Sequence, residues 1–191
     1  IMADRLTLKA GNKILLKEAS FQFPLGSTVA IMGKNGSGKT TLLRHIIQQG
    51  EGIILSPKAV IGSYKQMGYQ FEKNETVVSF MKERSDYHES KIRAVLHAMN
   101  FTGNDLEKNV RNLSGGEAIR LVLCQLFLGR YNILILDEPT NFLDVFCIEA
   151  LERFLKGYEG TVILVSHDRM FIDRVADHIY VMENQQLKLR N

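Results

Sequence analysis

The chain has 191 residues, 45% of them hydrophobic and 24% charged, a length for one sizeable core with a lobe attached and too short for two ordinary domains. Lysine and arginine number 24 against 21 aspartate and glutamate, a formal net charge of +3; this permits an anionic partner without demanding one, and no block of like charges forms a nucleic-acid arm. No apolar run approaches the ~18 residues of a membrane span and no charged-then-apolar leader opens the chain, so no direct membrane insertion and a cytoplasmic address are expected.

The first predicted elements are strands. Arg5–Lys9, "RLTLK", alternates apolar and polar residues, and "EASFQFPLG" does the same until Pro24 and Gly26 break it. The run "STVAIM" is almost continuously apolar, as expected of a strand buried on both faces. After Lys39, Leu42, Leu43, Ile46 and Ile47 fall at helical spacing, with Gly50 as the expected stop. "AVIGSY" reads as a short strand. From about Glu75 to Asn109 the pattern becomes amphipathic and helical, with Ile92, Val95, Leu96 and Met99 among charges. A helix after Leu113, the strand "NILILD", the helix "CIEALERFLKGY", the strand "TVILVS" and the helix "RMFIDRVADH" follow. The tail "IYVMENQQLKL" reads as a hairpin turning at Glu183-Asn184. Apolar strands alternating with helices predict an α/β fold with a mostly parallel sheet covered on both faces. Cys124 and Cys147 sit in apolar helical patterns without metal-ligand spacing and are expected as buried free thiols.

Gly33–Thr40 reads "GKNGSGKT" and fits G-x-x-x-x-G-K-[ST] at every fixed position, between a predicted strand and a predicted helix. The expected nucleotide cradle is Gly33, Lys34, Asn35, Gly36, Ser37, Gly38, Lys39, Thr40 and Thr41. Its glycines let backbone amides curl round an anion, and the helix start adds positive charge. Lys39 would reach the terminal phosphates, and the Thr40 hydroxyl would ligate Mg²⁺. The acidic half is "NILILDEPTNFLD": the strand delivers Asp137 at its carboxyl end, suited to Mg²⁺, and Glu138 next to it suits a general base acting on water. His167, ending "TVILVSH", could hold the attacking water or sense a terminal phosphate. Gln66 could reach the metal and that water; on its own it would be an exposed polar residue.

"NLSGGEAIR", Asn112–Arg120, places two consecutive glycines at a helix entrance, where each costs roughly 1 kcal/mol relative to alanine in a helix interior. Ser114 and Glu117 fit a capping box, which needs no ligand and no glycine.

Together these motifs resemble the ATP-binding cassette (ABC) ATPases over nearly the whole chain: "GKNGSGKT" the phosphate loop, "ILILDE" the acidic strand, "LSGGE" the signature and "SH" the switch histidine. The resemblance implies a P-loop NTPase core with an N-terminal antiparallel β part and a small helical lobe at about 70–125, all within one domain spanning 1–191. It also implies a site completed in trans: Ser114, Gly115, Gly116 and Glu117 would bind ATP held by a second cassette. "DEPTNFLD" followed by "SHDRMF" is similar to the F subfamily, whose members carry two cassettes in one chain and act on the ribosome as translation factors or antibiotic-resistance proteins; the chain resembles their second cassette. This chain is then expected to be one half of a longer Mg²⁺-dependent ATPase. Phe142 departs from the histidine usual in "TNHLD"-type loops, and Ala10 stands where cassettes usually offer an aromatic ring to adenine. The alternative is the nucleotide-binding subunit of a membrane transporter, which "TNFLD…SHDRMF" disfavours. A coiled-coil DNA-repair ATPase would need long heptad arms between the motifs, and this stretch of sequence has none.

Overall fold

A computed structural model describes residues 1–64, 69 and 71–190. By its contacts the chain divides into two compact units, Ile1–Ser63 with Tyr131–Pro139 and Tyr158–Asn191, and Tyr64–Arg130 with Thr140–Gly157.

The first unit opens with an antiparallel pair, β1 (Met2–Ala10) and β2 (Lys13–Gln22), turning at Gly11 and joined on the far side of β1 by the two-residue β4 (Ile53–Ile54). Alternation makes this sheet largely one-sided: Leu6, Leu8, Leu16, Ala19 and Phe21 are buried between exposed neighbours, except that Leu15 beside Leu16 is buried too. The larger sheet has the order β5-β6-β7-β3-β8-β9. Its centre is β3 (Thr28–Met32), parallel to β7 (Thr161–Val165) on one side and to β8 (His178–Glu183) on the other, with β6 (Ile133–Asp137) parallel beyond β7. Every residue of β7 and four of the five in both β3 and β6 are buried, which is what a sheet covered on both faces requires. β5 (Ile61–Tyr64) and β9 (Gln186–Leu189) form the edges, β9 running antiparallel to β8. The two sheets are tied where the Lys17 N–H donates to the Gln185 carbonyl at 3.0 Å and the Gln186 amide donates back to the Lys17 carbonyl at 3.0 Å. Leu16, Ile31, Leu42, Ile46 and Ile163 form the centre of the core beneath α1 (Lys39–Ile47).

The second unit is helical: α2 (Val77–Glu83), α3 (Glu89–Ala98), α4 (Gly103–Leu106), a 3₁₀ turn (Val110–Asn112), α5 (Gly115–Leu128) and α6 (Val145–Lys156). Side-chain caps start most of them: Thr76 accepts from Ser79 N–H, Thr102 and Asp105 form a capping box, and Asp144 accepts from Cys147 N–H at 2.8 Å. α5 is the most deeply buried, with Leu121, Leu123 and Cys124 fully enclosed, and Phe127 stacks on Phe154 of α6 at 3.6 Å between ring centroids. Both cysteines are free and buried.

Several boundaries differ from the sequence reading, β2 starting at Lys13 rather than Glu18 among them, and three have a visible local cause. α1 ends at Ile47, before Gly50: Gln49 takes the left-handed turn (φ 50°), and a Cβ on Gly50 would fall on the His45 ring. The last helix, α7 (Arg169–Val175), stops short of Asp177, whose carboxylate instead accepts from Thr28 N–H at 2.7 Å. The β8–β9 turn is centred on Asn184-Gln185, one residue later than expected, with φ 48° and 59°, the twist a two-residue hairpin needs.

Candidate functional site

The carboxyl ends of β6, β7 and β3 lie side by side, with Asp137 opposite Val165 and Val165 opposite Ile31, so the loops after all three strands emerge on one edge of the first unit. That edge is where open α/β sheets take ligands.

The loop after β3 is shaped by two tight places. A Cβ on Gly33 would come within 2.6 Å of the Met182 carbonyl oxygen and 2.9 Å of Ser37 Oγ. Gly38, at the start of α1, has φ 108° and presses on Leu15; a side chain there would meet its Cδ1 at 2.7 Å. Between them the loop closes with Ser37 N–H donating to the Lys34 carbonyl at 3.1 Å, and Lys34, Asn35 and Gly36 stand exposed. Lys39 is buried, with its ammonium held over the loop by the carbonyls of Gly33 (2.9 Å) and Lys34 (3.2 Å). Among the described residues, Ser37 Oγ is buried without a hydrogen-bond partner and the Lys39 ammonium is bound to carbonyl dipoles alone. A buried ammonium so held, an orphaned hydroxyl and a glycine cradle fit a phosphate chain.

The half-buried Thr40 hydroxyl donates to Asp137 Oδ1 at 3.2 Å, joining the first turn of α1 to the end of β6. A hydroxyl beside one carboxylate suits Mg²⁺, which is held by one or two protein oxygens plus substrate phosphate and water rather than by a full protein cage. Among the described residues no group of three or more His, Cys, Asp and Glu is placed to hold a metal ion. Gln66, expected to join this group, lies outside the described residues. Thr41 follows Thr40 in α1, half-buried.

Glu138 departs from the strand in the left-handed conformation (φ 53°), uncommon for a residue with a side chain and a form of strain that clusters at functional sites. Its N–H still reaches the Val165 carbonyl at 2.8 Å, while its carboxylate turns toward His167. Burial pushes the Glu138 carboxyl above its ordinary value and Asp137 adds to the rise; the His167 N–H, its imidazole and the Lys39 charge pull the other way without cancelling it. His167 itself is exposed on the loop after β7.

In the second unit, Ser114 is the N-cap of α5. The Glu117 N–H donates to Ser114 Oγ at 3.3 Å and the Ser114 N–H to Glu117 Oε2 at 2.7 Å, so the capping box forms as the sequence suggests. The glycines between them are a different matter. A Cβ on Gly115 would meet nothing within 4 Å, one on Gly116 would only touch the Phe142 carbonyl at 4.0 Å, and neither has a positive φ. Among the described residues of the unit nothing requires glycine at either position.

Two contacts escape sequence reasoning. Lys13 Nζ donates to the Gly36 carbonyl at 3.1 Å, and Lys108 Nζ to Glu117 Oε1 at 2.7 Å. The only signal for either was a basic residue near a motif, and no periodicity links positions 23 or nine residues apart.

An α/β unit with a phosphate loop after one central strand and paired acids after another defines a P-loop nucleotide-binding protein. The family model for "ABC transporter" matches residues 16–141, and the chain belongs to that family of ATP-binding cassettes. It is 41% identical over 187 residues to the erythromycin resistance ATP-binding protein MsrA of Staphylococcus epidermidis, covering 98% of this chain and 38% of that protein. It is 37% identical to the energy-dependent translational throttle protein EttA of Haemophilus influenzae (94% and 34% covered) and 35% identical to ABC transporter F family member 5 of Arabidopsis thaliana (91% and 26% covered). The cassette is thus of the F-family type, and the chain spans between 26% and 38% of the length of these relatives. An ATP binding subunit of an ABC transporter superimposes with a TM-score of 0.80 at 20% identity, covering 98% of this chain and 87% of that one, which shows the shared fold. Among the described residues no helix is long and apolar enough to cross a membrane.

Proposed function

We propose that this chain is one ATP-hydrolysing cassette of a longer, cytoplasmic two-cassette protein that acts on the ribosome, as a translation factor or a resistance factor. The observation that carries the shared site is the pair Gly115-Gly116. Among the described residues neither packing nor backbone conformation calls for glycine there, and Gly115 stands exposed beside the Ser114 cap. An anion supplied by another molecule supplies the reason: glycines let it approach the backbone, with the Ser114 hydroxyl as donor and the α5 dipole behind it.

In this reading Gly33–Thr41 cradles the triphosphate, Lys39 leaves its carbonyl partners for the terminal phosphates, and Ser37 gains the partner it lacks. Thr40, Asp137 and Gln66 are the residues that would hold Mg²⁺, which would neutralise phosphate charge when bound. Glu138, its affinity for protons raised by burial, takes the proton from the attacking water, and His167 keeps its carboxylate oriented. With the γ-phosphate gone, the anion common to both cassettes is gone and the closed pair separates. The likeness to an energy-dependent translational throttle protein and an erythromycin resistance protein supports the ribosomal reading; docking as a transporter subunit is the competing outcome.

The test is co-sedimentation of the full-length protein with ribosomes, using Glu138→Gln and ATP. Retention on ribosomes only with ATP supports the proposal. Absence from ribosomes together with association with a membrane subunit would replace it with the transporter reading.

A further inference from the structure

The signature carries a glutamate, Glu117, whose part in the shared site is to hold the Ser114 cap rather than to touch the nucleotide, because an unpaired carboxylate in the first turn of a helix that is to face a polyanion would repel what the glycines admit. The structure shows the charge met. Lys108 Nζ lies 2.7 Å from Glu117 Oε1, while Oε2 accepts the Ser114 N–H, so each oxygen has its own partner. Glu117 is largely covered, its side chain 15% exposed against 37% for Lys108. Burial alone would raise the Glu117 carboxyl; the Lys108 ammonium and the Ser114 bonds outweigh it and hold the group below its ordinary value, so it is ionised.

Lys108 is itself held by a backbone clamp. Its carbonyl accepts from Val77 N–H at 3.0 Å, Val110 N–H donates to the Glu75 carbonyl at 3.0 Å, and Thr76 bridges Asn109 between them. Its own N–H donates to the Asp105 carbonyl at 3.2 Å. The ammonium therefore approaches Glu117 from a segment stitched to the start of α2.

We propose that Lys108 is a positioning residue for the signature: it neutralises Glu117 and fixes the Ser114 cap, so that α5 presents an amino terminus without net negative charge to a nucleotide bound by a second cassette. The inference rests on the shared-site reading. It predicts that charge, rather than packing, is what Lys108 contributes, because its only side-chain bond is to the carboxylate among the described contacts.

The experiment is steady-state ATP hydrolysis by the full-length protein at varied ATP. Lys108→Met is expected to raise KM for ATP about 3- to 10-fold, the worth of one partly exposed charge pair beside an anion, with a smaller change in kcat. Lys108→Arg keeps the charge and is expected to stay near the unmodified KM. Lys108→Met combined with Glu117→Gln removes the charge that needed a partner while the amide oxygen still accepts from Ser114, and is expected to recover most of the lost affinity. A combined variant as impaired as Lys108→Met, or a Lys108→Met with unchanged KM, overturns the assignment. Gly116→Asp separates the two ideas: if it leaves hydrolysis unchanged, the shared site itself falls, and if it abolishes hydrolysis while Lys108→Met does nothing, only the role of Lys108 falls.

Discussion

Both oxygens of the Glu138 carboxylate face a single residue: the His167 backbone N–H donates to Oε2 at 3.2 Å, and the His167 imidazole Nε2 lies 3.3 Å from Oε1. Two contacts fix both the position and the rotation of the carboxylate, which is what a base must have to meet one water in line with a phosphorus atom. The peptide that makes this possible is the left-handed Glu138, which turns the side chain from the direction the strand would give it back toward the loop after β7.

Glu138→Gln keeps the shape and removes the base. Turnover in the full-length protein is expected to fall about 10²- to 10⁴-fold, the usual worth of a general base, while nucleotide affinity holds, since Lys39 and the loop amides are untouched. Hydrolysis rate and equilibrium nucleotide binding measured on one preparation check it; an unchanged rate removes Glu138 from the role.

The same substitution makes a stability prediction with a definite sign. A carboxyl whose folded pKa lies above its unfolded value holds its proton more tightly in the native state, so stability falls as pH rises from the unfolded value through the folded one. Burial is the leading cause of the rise at Glu138, so above that window the native state carries an unfavourably buried charge. Glu138→Gln is expected to melt at a higher temperature than the unmodified chain near neutral pH. The difference should shrink as pH drops through the ordinary carboxylate range. Thermal melts across that interval decide it; a gain that does not depend on pH points to something other than the buried charge.

How far the site was legible depended on whether its contacts are local. Gly33–Thr40 and Asp137-Glu138 are contiguous motifs whose geometry is set by the strand-to-loop joints on either side, and they stand at the sheet edge where the sequence put them. The Ser114–Glu117 cap is equally local, four residues closing on themselves. Lys108–Glu117 and Lys13–Gly36 were not legible, because side chains from unrelated turns meet only once the chain is folded. In the fold, the strands showed through continuous apolar runs, whereas β4 and α4 are too short to carry a period. The shift at α1 has a steric origin: Gly50 read as a helix stop, but its missing side chain makes room for His45, whose Nε2 lies 2.9 Å from the Glu51 carbonyl.

Gly115→Ala separates the needs of the fold from those of the site. The position is exposed, has no positive φ and leaves open space where the methyl group would stand. Alanine restricts the unfolded chain and favours the helix, so stability is expected to rise, by up to about 1 kcal/mol. Hydrolysis by the full-length protein is expected to fall, because the methyl group occupies the approach to the α5 amides. Denaturant unfolding and ATP turnover on the same variant test both halves. A loss of stability would mean that glycine serves the fold after all.

The chain on its own gives the last prediction. The phosphate loop, Asp137 and Glu138 all belong to the first unit, so the isolated chain carries these parts of the proposed half-site. If the second half comes from the signature of another cassette, the isolated chain can react only when two copies meet. Its specific activity is then expected to be low and to climb with protein concentration, approaching proportionality to concentration while monomers dominate. Gly116→Asp chains alone should be inactive, yet adding them to unmodified chains while monomers dominate should raise the activity per unmodified chain, because each mixed pair still joins the variant's intact cradle to an unmodified signature. Specific activity that is brisk and independent of dilution would show that one copy contains a complete reaction site, and Gly115-Gly116 would then need another explanation.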